Sequence, residues 1–68
     1  MKITLNGQVV ELSQHKSLNG IVELYCKDNP HVIAELNGEI IKNHHWNEQS
    51  IKEGDRLELV TFVGGGSL

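Results

Sequence analysis

The chain has 68 residues, a net charge of −3 and 38% apolar residues. That suits one small folded domain, excludes a disordered chain, and leaves little room for a deep cleft with several catalytic groups. The six basic residues are scattered and form no stripe, which disfavours nucleic acid. Cys26, the one cysteine, can form no internal disulfide. No bilayer-length apolar run or apolar signal segment is read, so the expected setting is the cytoplasm.

Lys2-Ile3-Thr4-Leu5 alternates polar and apolar, Asn6-Gly7 follows, and Gln8-Val9-Val10-Glu11-Leu12 alternates again. Asn-Gly supplies the positive φ that a tight hairpin turn requires at both central residues. Ile3, Leu5, Val10 and Leu12 are expected to face the core. Ser17 is a candidate N-cap for a helix whose Leu18, Ile21, Val22 and Tyr25 fall on one face. Gly20 lies inside that helix, either for close approach to a sheet or merely tolerated. Lys27 suits the helix dipole, and Asn29-Pro30 ends the helix.

Residues 32–36 read as a third strand, Asn37-Gly38 as a second tight turn, and residues 39–42 as a fourth strand. Residues 43–53 read as irregular, anchored by Trp46 and Ile51. Glu53-Gly54-Asp55 is a turn, and residues 56–63 are the last strand. The order β-β-α-β-β-β gives an α+β fold in which one helix covers one face of a mixed sheet. The arrangement that fits is a ubiquitin-like β-grasp, with the first and last strands side by side at its centre. The domain is placed at 1–63 and a flexible glycine-rich tail at 64–68.

Several features resemble the ThiS family of sulfur carrier proteins in thiamine biosynthesis. They are the opening hairpin, the run Ala34-Glu35-Leu36-Asn37-Gly38-Glu39-Ile40-Ile41 followed by Trp46, the Glu53-Gly54-Asp55 turn, and Phe62-Val63-Gly64-Gly65-Gly66. The resemblance spans residues 1–66. It implies that Gly66 carries the chemistry at its carboxylate, with Gly64 and Gly65 threading the tail into partner active sites. A ThiF-like E1 adenylyltransferase would consume ATP to make an acyl-adenylate. Sulfur from a donor such as a cysteine desulfurase would then give a thiocarboxylate, and a ThiG-like thiazole synthase would accept the sulfur. The chain itself would be no enzyme, would bind no cofactor, and would be a monomer when free. A carboxylate is a poor electrophile until another enzyme converts its oxygen into a leaving group, and glycines make a thin arm for a closed site.

The sequence departs from the family by continuing with Ser67-Leu68. An amide at Gly66 cannot be adenylated as a carboxylate. Those two residues are either a remnant of expression or a natural extension that a protease trims. Two other readings stand beside the sulfur carrier: the small subunit of molybdopterin synthase, and a β-grasp interaction module of the TGS type without C-terminal chemistry.

Leu57, Leu59, Thr61 and Val63 share one parity of the last strand, and Val60 and Phe62 the other. One helix covers only one face, so Val60 and Phe62, with Val9 and Ile33 near them, are expected to form the partner-docking surface. His44, His45 and Glu48, with His15 and His31, read as solvated loop residues and no metal site is expected. Cys26 is expected to be inert at the helix edge, and Glu35, Glu39, Glu48, Glu53, Asp55 and Glu58 to be solvated.

Overall fold

In a computed structural model of the chain, residues 1–13, 16–27 and 31–61 are described. The elements are β1 (Lys2–Leu5), β2 (Gln8–Glu11), α1 (Leu18–Tyr25), β3 (Val32–Leu36), β4 (Glu39–Ile41), a 3-10 turn (Asn43–His45) and β5 (Arg56–Thr61). They form one five-stranded sheet in the order β2-β1-β5-β3-β4. β5 runs parallel to β1, with Thr4 opposite Arg56 and Leu5 opposite Leu57, and antiparallel to β3 from Leu57 to Thr61. The expected mixed sheet, with first and last strands paired at its centre, is therefore observed.

Both Asn-Gly turns have the anticipated geometry, with φ of 49° and 84° at Asn6 and Gly7, and 51° and 89° at Asn37 and Gly38. The turns set the registers, Ile3 opposite Val10 and Ala34 opposite Ile41. Side-chain alternation then sends Ile3, Leu5, Ala34, Leu36, Leu57 and Leu59 to one face, where α1 adds Leu18, Ile21 and Val22. Val10 is half-buried against this core, and Leu12 and Ile51 complete it.

Ser17 caps α1 as its position suggests, its Oγ accepting from the Gly20 N–H at 3.2 Å. The loop after the 3-10 turn does the rest of the capping. Leu18 N–H donates to the Gln49 carbonyl at 2.7 Å and Asn19 N–H to the Trp46 carbonyl at 3.1 Å. These are first-turn donors with no intrahelical partner, so residues 46–49 serve as a cap rather than a passive connection. Trp46 anchors the loop, half-buried on the core, with its Nε1–H donated to the Ile41 carbonyl at 2.9 Å.

Several expectations are corrected. Tyr25 is 47% exposed, because Cys26, at i+4 from Val22, continues the packed stripe instead. The helix ends at Tyr25 with Cys26 as its C-cap, and no basic residue lies in its last turn, so Lys27 sits past the dipole end. Asn29-Pro30 lies outside the described residues. The fourth strand stops at Ile41, and Lys42 becomes the N-cap of the 3-10 turn. Asp55 is 7% exposed rather than solvated. Its carboxylate accepts from Lys52 N–H at 2.7 Å and from Asn37 Nδ2 at 3.1 Å, which repays its desolvation with charge-assisted bonds.

Gly20 is tolerated rather than required. A β-carbon there would meet only Ser17 Oγ at 3.7 Å and Lys16 Cβ at 4.0 Å, and no part of the sheet. Gly20→Ala is expected to raise stability by about 0.5–1 kcal/mol, because glycine loses more backbone entropy on entering a helix. Thermal unfolding checks this: a lower Tm would mean that the site has no room for a β-carbon and that glycine is required there.

The α-ammonium of Met1 donates to Glu11 Oε2 at 2.9 Å and to the Leu12 carbonyl at 2.8 Å. The hydrogen bond from this ammonium holds the exposed Glu11 carboxyl below the usual carboxylate range. A depressed folded-state pKa gives stability that is present above the unfolded value and lost as pH falls through the folded one. Glu11→Gln is therefore expected to lower Tm at neutral pH, with the gap closing as both forms are titrated to acid below that range. A gap that stays constant with pH would contradict the pairing.

Candidate functional site

β5 is the central strand, and the chain continues past Thr61 into residues 62–68. The strand's position is secured on both sides. Towards β3 it is paired from Leu57 to Thr61. Towards β1 the ladder ends at Leu57, and Asn6 takes over. The Asn6 N–H donates to the Leu57 carbonyl at 2.9 Å. Its side-chain Oδ1 accepts from Leu59 N–H at 2.8 Å, and Nδ2 donates to the Leu59 carbonyl at 3.3 Å. At the strand's start Asn37 exchanges bonds with Arg56: the Arg56 N–H reaches Asn37 Oδ1 at 2.8 Å, and the Asn37 N–H reaches the Arg56 carbonyl at 2.7 Å.

Among the described residues nothing covers the face of the sheet away from α1. Val60 is 51% exposed, as its parity implies, and Ile33, directly opposite it on β3, is 40% exposed. Val9 is exposed on β2. Trp46 packs on the core instead, so its loop does not cover Val60. Ile40, 64% exposed on β4, belongs to the same face and was not anticipated. The two-residue Asn37-Gly38 turn places position 40 opposite 35, so hairpin register alone could have found it. Phe62, Gly64, Gly65 and Gly66, the other expected site residues, lie outside the described residues.

The remaining candidates form no metal or nucleophilic site among the described residues. His44 and His45 have ring centroids 4.2 Å apart, and His45 Nδ1 is 3.8 Å from Glu48 Oε1. Among the described residues no three His, Cys, Asp or Glu side chains converge as a metal site would require. Cys26 is half-buried, and loss of solvation pushes its thiol pKa up, away from the thiolate needed for nucleophilic work. Among the described residues no helix is long and apolar enough to cross a membrane.

A mixed five-stranded sheet with one helix on one face and the last strand at its centre defines a β-grasp protein. The ThiS family model matches residues 3–66, and the chain belongs to that family. It is 34% identical over 65 residues to the sulfur carrier protein ThiS of Bacillus subtilis, covering 94% of this chain and 98% of that one. A crystal structure of the thiamine biosynthesis protein ThiS from Geobacter metallireducens superposes with a TM-score of 0.82 at 26% identity, covering 97% of this chain and all of that one. The chain is also 31% identical over 67 residues to a thiazole synthase of Paramagnetospirillum magneticum, of which it spans 21%. Of the three readings of the sequence, the family match favours the first.

Proposed function

We propose that the chain is a sulfur carrier of thiamine biosynthesis, a protein co-substrate rather than an enzyme. The observation that carries this reading is the placement of β5 at the sheet centre, pinned on both edges, immediately before a segment that contains three successive glycines. Membership of the ThiS family supports it, as does the ThiS of Bacillus subtilis, which is named a sulfur carrier protein.

The chemistry belongs to the carboxylate of Gly66 and to its partners. An E1-like adenylyltransferase joins that carboxylate to AMP from ATP and releases pyrophosphate. AMP is a good leaving group where the original oxygen was not. The outer sulfur of a donor persulfide, such as that of a cysteine desulfurase, then displaces AMP to form an acyl disulfide, and a thiol cleaves the S–S bond, leaving a thiocarboxylate and a new disulfide. Gly64 and Gly65 let the arm enter a narrow, water-excluding site, since no β-carbon crowds the carbonyl. Val60 and Phe62 dock the partner beside the arm. The thiazole synthase accepts the sulfur. That a thiazole synthase polypeptide contains a stretch similar to this chain supports the pairing. The carrier needs no bound cofactor or metal of its own, and it works in the cytoplasm.

Ser67-Leu68 block this chemistry, because Gly66 is then an amide with no carboxylate to adenylate. The expected outcome is checked by intact mass after incubation with the E1-like enzyme, ATP and a sulfur donor. A chain ending at Gly66 exchanges one oxygen for sulfur, and the chain ending at Leu68 stays unchanged. A Gly66-ended chain that never exchanges would sink the carrier reading, and exchange on a chain still ending in Leu68 would place the chemistry elsewhere.

A further inference from the structure

The open face has a corner whose composition folding alone does not explain. Val60 and Ile33 lie directly opposite each other. Ile40 lies opposite Glu35 and so diagonal to Ile33. Single exposed aliphatics are ordinary, but three on adjacent strands of one face make a contiguous apolar patch of the kind that marks an interface. The same register sets Glu58 directly opposite Glu35. Side chains so placed have β-carbons about 5 Å apart, and like charges there destabilise the sheet.

Arg56 is two residues before Glu58 on the same face, yet among the described residues neither glutamate forms an ion pair. Ile40, Glu35 and Glu58 make one row across three strands, and Ile33 and Val60 border it. A negative centre with apolar shoulders is complementary to a cation flanked by apolar side chains. It repels phosphate, which disfavours nucleic acid as the occupant.

We propose that this corner is the docking surface for the thiazole synthase, and that a guanidinium of that enzyme bridges Glu35 and Glu58 while apolar side chains beside it cover Val60, Ile33 and Ile40. The proposal rests on the sulfur-carrier reading. An arginine suits it because its planar fork can satisfy two carboxylates at once and is weakly hydrated. The apolar shoulders exclude water from the contact, so the charges attract more strongly than on an open surface. Val60 immediately precedes the last described residue of β5, so docking here brings the chain's exit to the same enzyme surface. The repulsion within the free chain is relieved only in the complex.

The test is titration calorimetry of the chain against the thiazole synthase of the same organism, at low and high salt, with thermal unfolding in parallel. The Glu35→Gln/Glu58→Gln double variant is expected to unfold at a higher temperature than the wild type. At low salt it binds about five-fold more weakly, the scale of one or two surface ion pairs, and it loses most of the salt dependence that the wild type shows. Ile33→Ser also weakens binding while leaving Tm nearly unchanged. A double variant that binds as tightly as the wild type with the same salt dependence overturns the proposal, and so does a wild type that does not bind. Either result leaves the carrier reading to the mass exchange at Gly66, which involves no thiazole synthase.

Discussion

A strand can occupy the centre of a sheet only if its backbone is paired on both edges, and β5 meets that demand with two asparagine side chains. β1 is too short to pair with more than the start of β5. Where it ends, the Asn6 amide supplies the acceptor and donor that another strand residue would have offered Leu59. Asn37 does the corresponding work for Arg56 from the other side. A buried backbone donor left unmade costs about 1–3 kcal/mol, so these bonds decide whether the strand stays central. Both asparagines also hold positive φ in their turns. Glycine would accept that conformation but has no amide to give, and most larger residues would resist the conformation. One residue type thus meets a conformational and a hydrogen-bonding demand at each turn.

The rest of the molecule serves the same strand. Asp55 ties its entry turn to Asn37 and to the Lys52 amide. The loop before that turn caps α1 through Gln49 and Trp46. α1 in turn buries Leu57 and Leu59 on one face of β5 and leaves the other face bare. Helix, loop and strand are coupled, so the point from which the last residues depart is fixed relative to the open face. A carrier that must place one carboxyl carbon inside another protein's site gains from such a fixed base, because less orientational freedom is lost on docking.

Local signals made much of this legible in the sequence. Asn-Gly pairs fixed both hairpins, apolar spacing found the helix, and element order led to the central pairing of first and last strands. What escaped was non-local or concealed by composition. Asp55 beside a turn glycine reads as solvated, and only the proximity of Asn37 makes it a buried acceptor. Tyr25 has the right spacing for the core, but the helix ends there and Cys26 takes the packed position. The Glu35–Glu58 opposition depends on β3 pairing with β5, and no turn between them sets that register. The candidate site divides the same way. Exposure of Val60 followed from parity, whereas the role proposed for Gly66 rests on family resemblance, since three glycines alone carry no chemistry.

Side-chain amides thus substitute for a missing strand along β5. Native-state hydrogen exchange of the Leu59 amide tests this most directly. Its donor bond goes to Asn6 Oδ1 and not to a neighbouring strand. Leu59 is expected to exchange as slowly as the slowest amides of β3, through global unfolding, and Asn6→Ala to convert it to fast local exchange while β3 remains protected. A Leu59 amide that exchanges in the native chain as fast as the amides of the edge strand β2 would contradict it.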